Sequence, residues 1–278
     1  MQTHFFKMTD AHWNALGKSG PGHKYRYGHA AIVSGPLGRG GAARLAARGA
    51  LRIGAGVVSV LCKDDALVEH ACQLNAIMVK PFGPDISFRG RLSEVDPQAI
   101  CIGPNLGLGS SSQVLLGDVL ALGRPVCIDA DAITILANGK GFLPKISHAQ
   151  SVLTPHEGEL RRIIPEMFEQ TNCRVRLAQT AANKVGCVVL FKGQDTVIAS
   201  PDHDPVVVSS NRFEHASWLA TAGSGDVLSG FVTGLLARGF DGVQAACLAA
   251  ELHLRCADAF GAGLIAEDIP ETLPKILR

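Results

Sequence analysis

The chain has 278 residues, of which 47% are hydrophobic and 5% aromatic, and its 26 basic and 25 acidic side chains leave a formal net charge of +1. Because the basic residues are spread along the sequence, this balance argues against nucleic acid or an anionic membrane surface as a partner and favours a small-molecule substrate. Eight cysteines without a C-x-x-C pair, a start unlike a signal peptide and no run of about 18 apolar residues predict a cytoplasmic protein with reduced, buried thiols.

Short apolar runs alternate with helical stretches along most of the chain. A loop rich in Gly, Lys and Tyr precedes the first run, and a Gly-rich turn after it leads into an Ala- and Arg-rich helix. The predicted order is strand 30–34, helix 42–52, strand 57–61, helix 64–71, strand 99–102, helix 111–120, strand 126–128, helix 132–136, strand 152–154 and helix 156–164. This alternation builds βαβ crossovers, which predicts a mostly parallel sheet with helices on both faces.

The remaining third of the chain changes pattern. A helix over 171–184 precedes a β-rich run at 187–191, and two more strands at 196–199 and 206–208 predict an antiparallel edge joined by a hairpin turn at 201–205. Two helices, 226–238 and 243–260, have Ala and Leu spacing suited to packing on the sheet. Since no repeat or linker divides the sequence, we expect one α/β domain over 1–278, with residues 1–22 as an N-terminal extension.

The segment TAGSGD at residues 221–226 carries the strongest chemical signal. Two glycines separated by Ser224 let backbone amides approach an anion, and the helix that follows adds its unpaired amides and positive dipole end. Asp226 could accept the proton of a hydroxyl that attacks phosphorus there. The alternative is that Asp226 only caps the helix.

Three further segments place polar side chains just after predicted strands, where open α/β sheets bind ligands. Lys192 in FKGQDT could contact a nucleotide phosphate or be solvated. His156 in TPHEGE could bind substrate, and Glu159 could either contact a metal through water or form a capping box. Asp129 and Asp131 could hold water around Mg²⁺ or only bond their own loop.

Two glycine-containing loops remain. GPNLG at 103–107 could admit a flat ligand close to the backbone or be a simple turn. The loop over 34–43 lacks the G-x-G-x-x-G spacing, which is the sequence fingerprint of a Rossmann dinucleotide-binding fold, so the sequence does not support that fold.

Several motifs in a fixed order, covering about residues 23–258, resemble one family. They are HKYRYGHAAIVSG, GAARLAARGALRIGAG, GPNLG, IDADAI, LTPHEGEL, LFKGQDTVI and ATAGSGDVLSG. The chain is thereby similar to the nucleotide-dependent NAD(P)H-hydrate dehydratases, which form the C-terminal domain of bifunctional repair enzymes. The resemblance implies a ribokinase-like three-layer α/β/α sandwich. It also implies a reaction that returns the 6S hydrate of NADH or NADPH (NADHX or NADPHX) to the cofactor, driven by ADP in bacterial members and ATP in eukaryotic ones.

The resemblance implies roles for individual residues. Asp226 would be the base and, with Ala43, Gly107 and His156, a substrate contact. The anion hole would be Gly223, Ser224 and Gly225, and the nucleotide contacts Lys192, Gly193, Gln194, Asp195 and Thr196. Mg²⁺ would accompany ADP or ATP, with Glu159 near it through water. A homo-oligomer, with a tetramer as one option, and association with an NAD(P)H-hydrate epimerase are also implied, whether the chain is stand-alone or part of a bifunctional protein.

The chain departs from the family pattern at several positions. Residues 214–219 (EHASWL) replace a Gly-Asn-Pro-Gly stretch, Ala222 and Asn105 replace glycines, and Glu157 replaces a proline. These changes affect the expected pocket wall more than the expected reaction. Two other interpretations stay open: a ribokinase-like vitamin kinase acting on hydroxymethylpyrimidine or hydroxyethylthiazole, and a non-catalytic nucleotide-binding module.

Overall fold

One ten-stranded sheet organises the computed structural model, which describes residues 3–18, 22–139 and 150–277. The strands are β1 (His4–Phe5), β2 (His29–Val33), β3 (Val57–Lys63), β4 (Met78–Phe82), β5 (Ala99–Ile102), β6 (Val126–Ile128), β7 (Val152–Leu153), β8 (Val188–Phe191), β9 (Thr196–Ser200) and β10 (His203–Val208). Their order is β1-β10-β9-β8-β7-β6-β5-β2-β3-β4. All neighbours are parallel except β9, which runs antiparallel to β8 and β10.

Helices cover both faces of the sheet. They are α1 (Asp10–Leu16), α2 (Gly41–Arg52), α3 (Leu67–Ala71), α4 (Phe88–Val95), α5 (Ser110–Ala121), α6 (Ala130–Asn138), α7 (Glu157–Ile163), α8 (Pro165–Phe168), α9 (Arg174–Val185), α10 (Ser224–Ala237), α11 (Gly242–Phe260) and α12 (Asp268–Thr272). Alternate residues of one strand enter two separate cores: Ala30 and Ile32 pack with α2, α10 and α11, whereas Ala31 and Val33 pack with α4 to α7 and α9. This period of two is the pleat of a buried strand, and it gives the three-layer α/β/α sandwich.

Helices α2 and α10 approach each other very closely. A Cβ on Gly230 would lie 2.1 Å from the carbonyl oxygen of Ala46, so only glycine fits at this crossing. The contact fixes the start of α10 beside the sheet edge at which the parallel strands end.

The sheet has a topological switch point beside β2. The chain adds β3 and β4 on one side of β2 and then returns to place β5 on the other side. Loops that leave β2 and β5 therefore diverge, and such crevices are where open α/β sheets bind ligands.

The predicted alternation, the parallel sheet and the antiparallel hairpin β9–β10 are confirmed, but several elements were missed. Strand β4 contains Lys80 and Pro81 and lies at the sheet edge, where proline is tolerated because one side of the strand needs no hydrogen bond. Helix α4 was also missed. The described part of the predicted N-terminal extension packs on the domain, with β1 paired to β10 and Trp13 against the core.

Six of the eight cysteines are buried. All eight cysteines lie in the described residues and are unpaired, but Cys72 and Cys173 are exposed, so the prediction that every thiol is buried was wrong for these two. Within residues 3–18, 22–139 and 150–277, no helix is long and apolar enough to cross a bilayer.

Candidate active site

The glycine turn before α10 places Asp226 in the first turn of the helix. Gly223 has a φ of 87°, in the left-handed region that favours glycine, and a Cβ there would lie 2.6 Å from Cδ1 of Leu45. The helix begins at Ser224, two residues earlier than predicted. Amides of a first turn have no helical acceptor and lie at the positive end of the helix dipole, so this turn can stabilise an anion.

Lys192 lies opposite this turn and is held by Asp129. Its Nζ is 2.8 Å from Oδ1 of Asp129, and the other carboxylate oxygen accepts a 2.6 Å hydrogen bond from the Ser229 hydroxyl. The same ammonium lies 3.6 Å from the point that a Cβ on Gly225 would occupy. A buried carboxylate thus aims a cation at the start of α10, and a phosphate placed there would meet both the cation and the helix amides.

The pKa values of Asp226 and Lys192 are both shifted by this arrangement. Burial, followed by the charge of Asp129, raises the pKa of Asp226 from 3.8 to about 6, although Lys192 lowers it. Burial alone lowers the pKa of Lys192, but Asp129, Glu159 and Asp226 outweigh burial and raise it. Lys192 therefore stays charged at neutral pH, while Asp226 has a pKa suited to accepting and releasing a proton near pH 7.

A cavity of about 680 Å³ opens beside these groups, between the turn after β8 and the segment before α10. It extends to Ser224 and Gly225, next to Asp226. Its wall combines polar and apolar residues, which include Lys192, Gly193, Gln194, Thr196, Ser210, Asn211, Phe213, Leu219, Leu228 and Leu254. Volume and lining suit a nucleoside whose phosphates reach Lys192.

Arg174 of α9 holds the turn that forms one side of this cavity. Its Nη2 donates to the carbonyl oxygens of Lys192 at 2.8 Å and Phe191 at 3.2 Å, and its guanidinium stacks 3.7 Å from the centroid of the Phe191 ring. Asp195 acts from within the turn, since its Oδ1 accepts a 2.9 Å hydrogen bond from the amide of Ser210 across the cavity. Both walls are thereby tied together.

The opposite wall is anchored on α11. Buried Glu251 binds Arg212 at 2.6 Å and Arg255 at 2.9 Å, which fixes the chain beside Ser210. His253 donates from Nε2 to the carbonyl oxygen of Ser224 at 3.0 Å, and burial lowers its pKa to about 4, so the ring is neutral at pH 7. These residues could not be predicted, because nothing in a helical run of Ala, Leu and charged residues shows which polar side chains point inward.

His156 and Glu159 form a capping box at the start of α7. The Glu159 carboxylate accepts the His156 amide at 2.8 Å, and Nδ1 of His156 accepts the Glu159 amide at 3.3 Å. Glu159 is buried, and its other oxygen lies 3.3 Å from Nε2 of His156. The capping alternative for Glu159 is confirmed. The ring of His156 is exposed, which leaves its contact with substrate a prediction.

The described residues do not form a metal cage. Nowhere in the described ranges do three His, Cys, Asp or Glu side chains gather at metal-binding distance. Asp129 is engaged by Lys192 and Ser229, both oxygens of Glu159 face His156, and Asp131 accepts the Gly107 amide at 2.8 Å. This donor set does not fit a protein-held Mg²⁺, and it favours the loop-bonding interpretation of Asp131.

The remaining predicted substrate contacts lie near the switch point but differ in access. Gly107 is half-buried in the loop after β5, whereas Ala43 has no exposed surface inside α2, so its predicted contact is not available in this arrangement. Asn105, which stands where the family has glycine, has a φ of 53°, a left-handed conformation that Asn tolerates better than most residues. The departing segment 214–219 lines the cavity through Glu214, Ala216, Ser217 and Leu219.

Comparisons with known proteins point to one family. The family model described as NAD(P)H-hydrate dehydratase matches residues 30–277. The chain is 33% identical over 269 residues to the ADP-dependent (S)-NAD(P)H-hydrate dehydratase of Neisseria meningitidis, covering 89% of this chain and 84% of that protein. It is 34% identical over 269 residues to the bifunctional NAD(P)H-hydrate repair enzyme of Salinibacter ruber, covering 91% of this chain and 49% of that one.

Solved structures show the same fold. The ADP/ATP-dependent NAD(P)H-hydrate dehydratase of Bacillus subtilis, co-crystallised with ATP and Mg²⁺, superposes with a TM-score of 0.77 at 26% identity, covering 99% of this chain and 98% of that one. The chain spans about half the length of the bifunctional curated relatives that it matches. A family model that matches nearly all of the chain settles its membership: the chain belongs to the NAD(P)H-hydrate dehydratase family.

Proposed function

We propose that this chain is a nucleotide-dependent NAD(P)H-hydrate dehydratase, which uses ADP or ATP to return NADHX or NADPHX to the reduced cofactor. Family membership supports the reaction type. The observation that carries the assignment to a site is the meeting of Asp226, the first-turn amides of α10 and the Lys192 ammonium beside one cavity.

The proposed chemistry has two steps. The hydrate hydroxyl attacks the terminal phosphorus of the nucleotide, its proton passes to Asp226, and the bond from phosphorus to the leaving nucleotide oxygen breaks. The resulting phosphate ester then loses inorganic phosphate, because electrons from the ring nitrogen expel it while a neighbouring ring carbon loses a proton. Phosphate, with a second pKa near 6, leaves far more readily than hydroxide, the conjugate base of water with a pKa of about 15.7.

Each group at the site has one task in this proposal. Amides from Gly223 to Gly225 and the Lys192 ammonium stabilise the negative charge of the phosphoryl group in transfer. The cavity beside residues 192–196 takes the nucleoside, and Asp226, with its pKa of about 6, is ionised and ready to accept a proton at neutral pH. Mg²⁺ would arrive on the nucleotide phosphates, since the described carboxylates do not offer it a cage.

The test is recovery of reduced cofactor from its hydrate. Purified protein is incubated with NADHX, Mg²⁺ and either ADP or ATP, and near-ultraviolet absorbance is followed. We expect recovery with at least one nucleotide and a loss of about 10²- to 10⁴-fold in turnover for Asp226→Asn, the range for removal of a general base. Nucleotide binding, measured by calorimetry, should survive in that variant.

The same preparation separates the two rival functions. A vitamin kinase would convert hydroxymethylpyrimidine or hydroxyethylthiazole into a stable phosphate ester and give no recovery of NADH. A binding module would bind nucleotide with no turnover in either protein. Asp226→Glu serves as the matched variant, because it keeps a carboxylate but displaces it; full activity in Asp226→Asn would exclude the mechanism.

We also propose a cytoplasmic homo-oligomer that acts beside an NAD(P)H-hydrate epimerase. Support for the epimerase comes from the bifunctional relatives, which are about twice as long as the matched region. Light scattering measures the number of subunits, a tetramer being one expected result. A pull-down with a purified epimerase tests the association.

A further inference from the structure

A second tethered loop lies apart from the nucleotide cavity. It follows β2 and spans Gly35–Gly41, a stretch that the proposed chemistry leaves without a role. The amide of Gly38, at the middle of this loop, donates a 2.7 Å hydrogen bond to Oε2 of Glu69, which comes from helix α3. A residue 31 positions away thus holds the tip of the loop.

Packing does not hold this tip in place by itself. Gly38 has a φ of 80°, and a Cβ built on it would meet no atom within 4 Å; the neighbouring Leu37 side chain is 57% exposed. Two residues later the loop becomes crowded, because a Cβ on Gly40 would lie 2.1 Å from Oε1 of Glu69 and 2.7 Å from Cε1 of His70. Glu69 therefore contacts the loop both at its open tip and at its buried end.

The Glu69 carboxylate accepts a hydrogen bond from Gly38 and has a looser contact with Arg44. Arg44 of α2 approaches Oε1 at 3.7 Å, and fully buried His70 lies 3.0 Å through Nε2 from the Ser34 hydroxyl at the start of the loop. Burial, followed by the charge of Arg44, lowers the pKa of His70, so its ring is neutral at pH 7. Among the described residues, Nη1 of Arg44 and Oε1 of Glu69 have no hydrogen-bond partner, so the Gly38 amide is the firm contact of this carboxylate.

The loop lies at the switch-point crevice, at the same sheet edge as Asp129 and Lys192. Three strands lie between β2 and β8, which makes four spacings of about 4.8 Å, so the loop and Lys192 are on the order of 19 Å apart. Gly35 packs against the carbonyl oxygen of Asn105 in the loop after β5, and α2, which continues from the loop, reaches the Gly223 turn through Leu45. Helix α2 thus links the loop to the turn that carries Asp226, whereas the lining of the nucleotide cavity includes no residue of the loop.

We propose that Glu69 is a positioning residue for the dinucleotide hydrate: by holding the Gly38 amide it sets the shape of the Gly35–Gly41 loop, and so controls affinity for the hydrate but not for the nucleotide. This inference rests on the proposed function.

The test compares three substitutions at Glu69. Glu69→Gln keeps an acceptor oxygen at the same reach, Glu69→Asp keeps the charge but is too short, and Glu69→Ala removes both. We expect KM for NADHX to rise by up to about tenfold in the Ala and Asp variants, the upper range for one lost hydrogen bond. The Gln variant should stay near the wild type, and kcat, KM for nucleotide and the pH profile of all three should be unchanged. Val68→Ala, at the exposed neighbouring position of α3, is the matched control.

A second measurement does not depend on turnover. Hydrogen exchange of peptides that cover residues 35–41 should become faster in Glu69→Ala and Glu69→Asp but not in Glu69→Gln. Unchanged exchange in all variants, a parallel rise in KM for nucleotide, or failure of Gln to restore KM would overturn the proposal. If the wild type shows no dehydratase activity, the proposed function fails, while the exchange data still decide whether Glu69 holds the loop.

Discussion

The turn after β8 and the glycine loop after β2 lie at the same edge of the sheet but are held in opposite ways. Arg174 binds the first turn through its carbonyl oxygens, at 2.8 Å for Lys192 and 3.2 Å for Phe191. Glu69 binds the second through an amide, at 2.7 Å for Gly38. Arg174 offsets the negative carbonyl oxygens of the first turn, so this turn is suited to an anionic ligand. Glu69 already occupies an amide of the second loop with a negative group, so that loop is less suited to an anion.

This difference favours an anionic ligand at the turn after β8. Lys192, the Arg174-held turn and the first-turn amides of α10 together place positive charge beside the cavity. At the glycine loop, the carboxylate of Glu69 already satisfies the amide at the tip. In the proposed function, the transferable phosphate would lie beside Lys192 and the hydrate would extend towards the glycine loop.

Replacing Lys192 with Met should have the largest effect, because it removes the cation that faces the start of α10. We expect kcat/KM for the nucleotide to fall about 100-fold or more, in the range found when one charge-stabilising donor is removed. The Lys192 charge lowers the pKa of Asp226, so its loss should also move the acidic limb of the pH profile, expected near pH 6 in the wild type, to higher pH. Lys192→Arg is the control that keeps the charge, and an unmoved limb in the Met variant would show that Asp226 does not produce it.

Replacing Asp226 with Asn should stabilise the fold at the expense of turnover. The folded state binds the proton of this carboxyl more tightly than the unfolded chain, since its pKa is about 6 against an ordinary 3.8. The group therefore costs nothing at low pH, and its destabilising effect grows as pH rises from about 4 to 6. We expect a gain of about 1–3 kcal/mol in the free energy of unfolding at pH 8, shrinking as pH falls towards 4. Urea unfolding at several pH values measures it, and a gain independent of pH would contradict the assignment.

Replacing Arg174 with Met should affect only the nucleotide side. Loss of its hydrogen bonds to two carbonyl groups should loosen the turn and raise KM for nucleotide about tenfold, with kcat and KM for the hydrate little changed. Arg176→Met, two residues along the same helix at an exposed position, is the matched control. Arg174→Met should change KM for the nucleotide alone, whereas Glu69→Ala should change KM for the hydrate alone. If Arg174→Met raised both values equally, the two sides would not be independent.

The glycine turn, the helix start and the strand end of the candidate site were predictable because their signals are local. Gly223, Gly225 and Asp226 lie within four residues, and a glycine turn followed by a helix start implies free amides wherever the segment is placed. Lys192 was identified as a strand-end residue for the same reason. The capping box of His156 and Glu159 is also readable from spacing, although the sequence left a metal contact open as its alternative.

Other features depended on how distant segments meet. Asp129 was identified only as one of two carboxylates after a strand, and its pairing with Lys192, 63 positions away, became visible in the fold. The edge strand β4 was missed because Lys80 and Pro81 interrupt the pattern of a buried strand. Ala43, expected at the substrate, is enclosed by the close packing of α2.

The amino-acid sequence by itself determined the α/β class, the family and the choice of Asp226 as the candidate base, because period, turn chemistry and motif order are properties of short segments. Only the tertiary structure decided which charges face one another, which side of the sheet edge attracts an anion and why Asp226 has a raised pKa. Those properties arise from burial and from distances between residues far apart in the chain, and neither is encoded at any single position.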